Sequence, residues 1–484
     1  MMERLERWFP LLVVAYFALQ AISRILVSPS LGLDEGEQMI LVQKIAWGYG
    51  AQPPLYTWLQ AAVFAVTGEG VAGLALLKNA LLAATVLVTY ATARRITTDS
   101  GTAVLAALSL FLIPQFGWES QRALTHSVLV MTMSALFAWL LIRLLQERRT
   151  VDYILLGAAL ALGVLSKFNF ALGALALLLA ALSLREFRAV LLTAKGAIVP
   201  LVAAVLLAPS LLWILDNREA TLSRAGKMTT GQTAGLLDNY LLGLGSLLWA
   251  AFAYALLLLL VYAVAAFRSK AGPARPGEQR LFLALFARAI AFGLLLCLLL
   301  VVGFEVTRFK DRWMQPLLYG APLVLALWLA PRLVAWRRKL VLGAASLGAL
   351  AVVVALPLRT LLGPTLGDPK PLDMPYPRLA EQIRALGFED GLILSDSNVI
   401  AGNLLLALPG SQALTTAYPR VVPPREGPVL LVWRGEAGPP PALAALARGA
   451  TGKDLPPGAT PQKVTALAYY SDDDQVTLSV LQLP

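Results

Sequence analysis

The chain has 484 residues, of which 58% are hydrophobic and only 14% are charged. Soluble globular domains average about 45–50% apolar residues, so this composition excludes an ordinary soluble protein. Apolar stretches of about 20 residues recur, and each is long enough to cross a bilayer. Backbone groups in lipid must be hydrogen-bonded within the segment, so we predict an α-helical polytopic membrane protein.

The net charge of +11 would suit a nucleic-acid-binding protein. However, the Lys and Arg residues lie in short clusters between apolar stretches, which is typical of the positive-inside distribution of membrane proteins. We therefore expect no nucleic-acid partner. The single cysteine, Cys297, cannot form an internal disulfide.

About eleven transmembrane helices are predicted, with a retained N-terminal helix as the first. They lie at 9–28, 71–93, 102–118, 124–142, 152–166, 168–184, 196–215, 241–267, 284–303, 315–330 and 340–358. Segment 55–67 is apolar but too short, so it is interfacial or re-entrant. The loops on one side carry eighteen Lys and Arg residues and those on the other side nine. The richer side is expected in the cytoplasm, which places the C-terminus outside.

We expect a transmembrane domain at 1–358 with an outer first loop at 29–70, a Pro- and Gly-rich linker at 359–375, and an outer α/β domain at 376–484. In the last domain "YPRLAEQIRALGF" has helical spacing. Four segments have strand patterns: "GLILS", "PVLLVW", "KVTALAYY" and "QVTLSVLQLP". No repeat, P-loop or Cys/His metal signature is found.

The first loop carries carboxylates directly after the first apolar stretch, in "LDEGEQ". Segment 35–47 has the amphipathic pattern of a helix lying in the membrane interface. Pro53-Pro54 then forbids helix, and four aromatic residues suit the headgroup belt: Trp47, Tyr49, Tyr56 and Trp58. This segment is either a solvated acidic loop or a rigid support for a general base. Neighbouring carboxylates and nearby lipid should raise the pKa of such a base.

Three further polar groups are candidates for the same outer face. Glu119, Arg122 and His126 are spaced to share one helical face, where they are either structural or functional. Lys167 and Asn169 interrupt an apolar stretch, and a lysine there usually has a partner. Three cations oppose the positive-inside bias: Arg308, Lys310 and Arg312. They either pair with Glu305 and Asp311 or bind an anion such as phosphate.

Together these motifs resemble the C-type glycosyltransferase (GT-C) superfamily, specifically family 39. That family includes protein O-mannosyltransferases and the bacterial transferase that places aminoarabinose on lipid A. "LDEGEQ" is similar to its acidic first-loop motif and "QPPLYTW" to its K-P-P-L-Y-x-W stretch. "QRALTHSVLV" resembles its R-x-D-x-x-L span, "GVLSKFNF" its G-L-x-x-K motif and "FKDRWMQPLL" its R-Y-x-x-P segment.

The resemblance implies an inverting sugar transfer from a polyprenyl-phosphate carrier to a glycan, lipid or protein hydroxyl, on the periplasmic side of the bacterial inner membrane. It implies Asp34 as the catalytic base, with Glu35 as the fallback. Lys167 and the late basic residues would hold the lipid phosphate. Further substrate contacts would come from the other motif positions: Gln52, Tyr56, Arg122, His126 and Asn169. Gln52 stands where the family often has Lys, and His126 where it has Asp.

The excess of cations fits a subgroup that transfers a different, acidic sugar. No cofactor is specified, although carboxylates beside a histidine leave a divalent metal open. One rival interpretation is a non-catalytic lipid-linked sugar transporter or flippase, which would need cations but no base. Another is an enzyme that uses a soluble nucleotide sugar in the cytoplasm, against which the charge distribution argues.

Overall fold

A computed structural model describes residues 2–223, 225–233, 235–269, 276–368, 370–435, 438–452, 454–456 and 459–483. Three of the cations counted for the loop charges lie outside these ranges: Arg224, Lys270 and Arg275. The helices, in chain order, are α1 (Met2–Val27), α2 (Leu33–Leu41), α3 (Leu55–Thr67), α4 (Val71–Ile96), α5 (Ser100–Leu108), α6 (Ser120–Arg122), α7 (Thr125–Glu147), α8 (Thr150–Ser166), α9 (Phe170–Ser183), α10 (Arg185–Leu191), α11 (Ile198–Asp216), α12 (Arg218–Leu222), α13 (Leu236–Ala266), α14 (Gly277–Phe304), α15 (Ala321–Leu329), α16 (Ala335–Leu361), α17 (Tyr376–Ala385), α18 (Asn398–Ala407) and α19 (Pro441–Thr451).

Seven of the described helices are long and apolar enough to cross a membrane: α1, α4, α7, α11, α13, α14 and α16. Two bent pairs of helices raise the number to nine if each pair is one span. The multi-pass helical fold is confirmed, but the expected count of eleven is not.

Four of the eleven expected spans form short or broken helices. α8 has 17 residues, α9 has 14 and α15 has 9. The expected span at 102–118 breaks before Pro114, where Ile113 is extended and a π-helical turn follows at Gln115–Glu119. The break has a steric cause, because a proline ring disfavours the α conformation in the preceding residue.

The chain divides into two compact units, each built from separate stretches of sequence. Unit 1 comprises Met1–Phe17, Gly50–Leu55 and Asn79–Val352. Unit 2 comprises Ala18–Tyr49, Tyr56–Lys78 and Val353–Pro484. The first loop, apart from Gly50–Leu55, therefore shares its unit with the C-terminal residues.

Small residues allow close helix packing inside unit 1. A Cβ atom on Gly157 of α8 would lie 2.7 Å from the Val199 carbonyl of α11. Interhelical hydrogen bonds add to this packing, such as that between the Ser109 and Tyr262 hydroxyls at 2.9 Å. Both devices are typical of helices that associate in lipid, where hydrophobic burial gives little drive.

Unit 2 contains the predicted C-terminal sheet. Its strands are β1 (Leu392–Ser395), β2 (Gln412–Thr415), β3 (Val429–Trp433), β4 (Gln462–Leu467) and β5 (Gln475–Leu483). Their order is β2-β1-β3-β5-β4, with β1 parallel to both neighbours and β5 antiparallel to β3 and β4. The four expected strands and the helix at α17 are confirmed. Sequence analysis missed β2, α18 and α19, because β2 is short and α18 is apolar without a clear period.

Helix α2 crosses α18 at two glycines. A Cβ atom on Gly402 would lie 2.4 Å from the carbonyl oxygen of Gly36, and one on Gly36 would lie 2.7 Å from the carbonyl oxygen of Asn398. At such a crossing only hydrogen atoms fit between the backbones. Beside it, the Gln43 side chain accepts from the Ala413 amide at 2.8 Å and donates to its carbonyl at 2.9 Å. Gln43 thereby covers the edge strand β2.

We predict that Gly402→Ala lowers the unfolding free energy by about 1–3 kcal/mol, because the added methyl group overpacks the crossing. Gly449→Ala is the matched control. It lies in α19, and a Cβ atom added there would have no heavy atom within 4 Å. The same change should therefore stabilise by up to about 1 kcal/mol. Denaturant unfolding of the purified variants measures both effects. Equal stability of the two variants would contradict the tight crossing.

Candidate active site

The three carboxylates of the first loop lie on α2 in unit 2, and their environments differ. Glu35 and Glu37 are each only 6% exposed, whereas Asp34 is partly exposed. Asp34 and Glu35 occupy the first turn, where the helix dipole favours negative charge. The helix ends at Leu41, so the expected helix at 35–47 is shorter than predicted.

Glu35 is fixed by Arg24, which lies in the last turn of α1. The guanidinium donates from Nε to Glu35 Oε1 at 3.0 Å and from Nη2 to Oε2 at 2.6 Å. It also donates to the carbonyls of Ser28 at 2.9 Å and Ser30 at 2.7 Å. Glu35 Oε2 accepts the Gly32 amide at 2.8 Å. One arginine thus orders the whole turn between α1 and α2.

These contacts decide the pKa of Glu35. Burial raises it, but Arg24 and, more weakly, Lys78 and the Gly32 amide lower it to about 2. The expectation that the crowded carboxylates have raised pKa values is therefore wrong for Glu35. A carboxylate so firmly ionised and paired is a weak proton acceptor near neutral pH.

Glu37 and Gln38 are anchored in the same unit. The Tyr418 hydroxyl donates to Glu37 Oε1 at 2.5 Å. The Thr57 hydroxyl donates to Gln38 Oε1 at 3.1 Å. The Asn403 side chain accepts from the Leu31 amide at 2.7 Å and donates to its carbonyl at 3.1 Å. Both ends of the acidic segment are therefore held by side chains from other parts of unit 2.

The aromatic residues of the first loop do not form one surface belt. Trp47 is 50% exposed and packs edge-on against Trp58 at 5.3 Å, with Trp58 donating from Nε1 to the Ala46 carbonyl. Tyr49 and Tyr56 are 4% and 0% exposed, so the headgroup-belt expectation is wrong for both. Burial raises the pKa of Tyr56, and the charges of Glu35 and Asp34 raise it further. Tyr56 is therefore an interior neighbour of the carboxylates.

In unit 1, Arg122 and His126 do not share a helical face as predicted. α6 ends at Arg122, and Leu124 adopts a left-handed conformation with φ 71° before α7 begins. Arg122 is exposed and pairs with Glu119 at 2.6 Å. His126 is 4% exposed, with Nδ1 3.3 Å from the Ser166 carbonyl. The left-handed residue rotates the two side chains apart.

The structure brings His126 together with the predicted lysine motif instead. Lys167 ends α8 in an extended conformation and donates to the Ser127 hydroxyl at 2.6 Å. Asn169 donates to the Trp313 carbonyl at 3.1 Å. Three parts of unit 1 therefore meet: the start of α7, the turn between α8 and α9, and the segment at 308–313, called the late basic segment below.

The late basic segment carries cations whose nearby carboxylates are engaged elsewhere. Asp311 Oδ2 accepts from Gln115 at 2.7 Å, and Glu305 accepts from Asn239 at 3.0 Å. Within the part of the chain that the structure describes, none of the three segment cations forms an ion pair with a carboxylate: Arg308, Lys310 and Arg312. The alternative that they pair with Glu305 and Asp311 is not observed.

A fourth cation joins this segment. The amides of Thr307 and Arg308 both donate to the Met228 carbonyl, which brings Lys227 beside them. Burial lowers the pKa of Lys310, and the positive charges of Arg312, Arg308 and Lys227 lower it further, whereas Asp311 raises it more weakly. Lys227 is one of the nine Lys and Arg residues counted above for the outer loops. Sequence analysis did not include it in the site, because no local pattern indicates where that loop lies.

Gln52, the remaining predicted residue, is partly buried in unit 1, just before the two prolines that precede α3. Among the described residues, no three His, Cys, Asp or Glu side chains lie close enough together to hold a metal ion. Arg24 and Tyr418 were missed by sequence analysis. The one sequence signal for Arg24 is its position, since a charged residue lies at the end of the first apolar stretch.

Glu35 should contribute pH-dependent stability. A pKa lowered from 4.5 to about 2 corresponds to roughly 3 kcal/mol, present above pH 4.5 and lost as the pH falls towards 2. Glu35→Gln should therefore destabilise the protein at pH 7 and much less at pH 3. Denaturant unfolding at both pH values measures this, with the exposed Glu69→Gln as control. A pH-independent difference from wild type would contradict the pairing.

Known proteins resemble the chain in sequence along almost its whole length. The lipopolysaccharide core galacturonosyltransferase RgtB of Rhizobium johnstonii is 33% identical over 93% of this chain and 92% of its own. RgtA of the same organism, of the same description, is 30% identical over 90% and 89%. A family described as dolichyl-phosphate-mannose-protein mannosyltransferase matches residues 51–213.

In structure the chain is similar to ArnT from Cupriavidus metallidurans. The crystal structure of ArnT bound to undecaprenyl phosphate gives a TM-score of 0.64 over 98% of both chains, at 15% identity. Its apo structure gives 0.55 over 98% of this chain and 97% of ArnT, at 14% identity. This likeness shows the fold, and it covers the C-terminal domain as well as the helices. The motifs, the fold and the extended identity to two transferases agree, and the chain belongs to the GT-C membrane glycosyltransferases, in the family of RgtA and RgtB.

Proposed function

We propose that this glycosyltransferase moves galacturonic acid from a polyprenyl-phosphate carrier to a hydroxyl group of the lipopolysaccharide core. The observation that carries the proposal is the 33% identity to RgtB over 93% of the chain. The fold shared with undecaprenyl-phosphate-bound ArnT supports a lipid carrier. The cations at 308–312 suit a negatively charged carrier phosphate. Galacturonic acid also matches the acidic sugar that the excess of cations predicts.

Purified enzyme, polyprenyl-phosphate galacturonate and lipopolysaccharide core test this proposal directly. Mass spectrometry should show the acceptor gaining one uronic acid, and NMR should show an inverted anomeric configuration. An enzyme that does not transfer galacturonate, whether or not it transfers another polyprenyl-phosphate sugar, would refute it.

We propose Asp34 as the general base. It is the most exposed of the three carboxylates on α2, while Glu35 is held by Arg24 and Glu37 by Tyr418. Its carboxylate would accept the proton of the acceptor hydroxyl as that oxygen attacks the anomeric carbon. The bond between that carbon and the phosphate oxygen breaks, and the carrier leaves as polyprenyl phosphate. Glu35 then serves to hold the turn rather than to accept the proton.

We further propose that the cationic segment of unit 1 binds the carrier phosphate. Arg308, Lys310 and Arg312, with Lys227 beside them, concentrate positive charge that no described carboxylate neutralises by an ion pair. A phosphate supplies the missing negative charge and suits the arginine guanidinium, which can bind it through two parallel hydrogen bonds. Lys167 and Asn169 belong to the proposed phosphate site as well, because Asn169 donates a hydrogen bond to the Trp313 carbonyl and so holds their turn beside the segment.

Asp34→Asn should reduce transfer about 10²- to 10⁴-fold, because the amide cannot accept the proton. Donor affinity and thermal stability should stay near those of wild type. Kinetics with polyprenyl-phosphate galacturonate measure the loss, and Glu69→Gln, an exposed acid of the same loop, is the control. A variant that keeps more than half of the activity would rule out Asp34 as the base.

Arg308→Ala and Arg312→Ala should each weaken donor binding about 10- to 150-fold, the range for a charge-assisted contact of about 1.5–3 kcal/mol. Arg312→Lys should also bind poorly if the contact is bidentate. Affinity for polyprenyl phosphate is measured on folded protein, with the exposed Arg218→Ala as control. Unchanged affinity in both alanine variants would show that these cations serve another purpose.

We propose a bacterial inner-membrane location with Asp34 facing the periplasm. The split of loop charges supports eleven crossings, in which the short helices α8, α9 and α15 also cross. If only the seven long helices crossed, Arg148 and Arg149 would lie on the same side as Asp34.

Single cysteines distinguish these topologies, since Cys297→Ser removes the only native one. Leu33→Cys and Arg149→Cys replace exposed side chains. In intact spheroplasts a membrane-impermeant maleimide should label the first and not the second. Labelling of both positions would contradict the eleven-crossing topology.

A further inference from the structure

Within unit 2, α3 from Tyr56 onward and the first two turns of α4, up to Lys78, form a hairpin that packs next to the acidic segment. They are joined by a turn at 68–70 that contains two glycines. Phe64 of α3 and Leu74 of α4 belong to one buried cluster with Leu31 and Met39, which flank the carboxylates in sequence. The hairpin is therefore packed against α2.

One helical turn further from the hairpin turn, the apolar lining gives way to polar side chains. Gln60 precedes Phe64 by four residues and Lys78 follows Leu74 by four, so each lies on the inner face of its helix. Gln60 is 0% exposed and Lys78 is 4% exposed. Tyr56, one turn beyond Gln60, is an electrostatic neighbour of Glu35 and Asp34.

Both polar side chains lack partners among the described residues. Neither the amide nitrogen nor the carbonyl oxygen of Gln60 has a hydrogen-bond partner there. Lys78 likewise forms no ion pair or side-chain hydrogen bond within those ranges, although its charge helps to lower the pKa of Glu35. Both oxygens of Glu35 already accept hydrogen bonds from Arg24, so this carboxylate is paired without Lys78.

Such an arrangement is unfavourable for the protein alone. A buried amide without partners and a buried ammonium without a contacting anion each reduce stability. Ionisable groups inside a membrane protein are rare and commonly mark substrate or ion sites. The missing partner of Lys78 is an anion, and that of Gln60 is a group that both donates and accepts, such as a hydroxyl.

We propose that Lys78 and Gln60 form the subsite for the transferred sugar, with Lys78 binding the carboxylate of a uronic acid and Gln60 binding a ring hydroxyl. This inference rests on the proposed function, because it assumes a carboxylate-bearing donor. It assigns sugar specificity to unit 2, near Asp34, and separates it from the phosphate-binding role of the segment at 308–312.

Two donors test the assignment: polyprenyl-phosphate galacturonate and polyprenyl-phosphate galactose, which differs only in having a hydroxymethyl group in place of the carboxylate. Wild type should prefer the galacturonate donor in kcat/KM by roughly 10- to 150-fold, as for one charge-assisted contact. Lys78→Met, similar in shape but uncharged, should remove that preference and leave the affinity for plain polyprenyl phosphate unchanged. Its Tm should not fall, because the change removes an unpaired buried charge.

Gln60→Leu should lower kcat/KM for both donors by about 2- to 10-fold, as expected for a neutral hydrogen bond. Lys44→Met is the control, since Lys44 lies in the same unit and is exposed. It should change neither the preference nor the affinity.

The outcomes are distinct. An equal loss with both donors and with plain polyprenyl phosphate in Lys78→Met would assign the lysine to the phosphate and overturn the proposal. A lower Tm with the preference intact would make it structural and also overturn it. If Lys78→Met does not fold, the wild-type comparison still decides, because a wild type that uses both donors equally has no carboxylate subsite. A wild type that uses neither donor would refute the proposed function instead.

Discussion

The bidentate contact between Arg24 and Glu35 is the constraint on which the candidate site depends. The guanidinium of Arg24 binds the carboxylate with two nitrogens and the carbonyls of Ser28 and Ser30 with the remaining donors. The chain therefore turns sharply where α1 ends, and α2 begins at a fixed place. A buried pair of this kind is strongly destabilised when one partner is removed, so both residues must stay charged. That leaves Asp34, one position earlier, as the accessible acid.

The C-terminal residues complete this scaffold within unit 2. The Gly36–Gly402 crossing sets the distance of α2 from α18, and Tyr418 binds Glu37. The C-terminal domain is thus a structural part of the loop that carries the carboxylates. Overpacking at Gly402 would therefore shift Asp34, the proposed base, without contacting it. Such a shift would lower the rate, because a small misplacement of a catalytic group costs a large factor in rate.

Polar side chains without a partner indicate where substrate groups bind, because most polar groups around the acidic segment are paired. Glu35, Glu37, Gln38 and Asn403 all have identified partners. Gln60 and Lys78 contrast with these four residues, because neither has a side-chain hydrogen bond or ion pair among the described residues. In unit 1 the same contrast holds between Asp311, satisfied by Gln115, and the cations beside it. Substrate charge offers one consistent explanation for both.

The sequence by itself determined the multi-pass helical class, the C-terminal strands and the order of the family motifs. These follow from local properties, namely the length of apolar stretches, residue alternation and motif spacing. Only the tertiary structure distinguished Glu35 from Asp34, separated Arg122 from His126 and showed β2 and α18. It alone showed that Tyr56 and Lys78 are buried near the carboxylates. Burial and pairing depend on partners far along the chain, such as Glu37 and Tyr418, which are 381 residues apart, and no local pattern records such contacts.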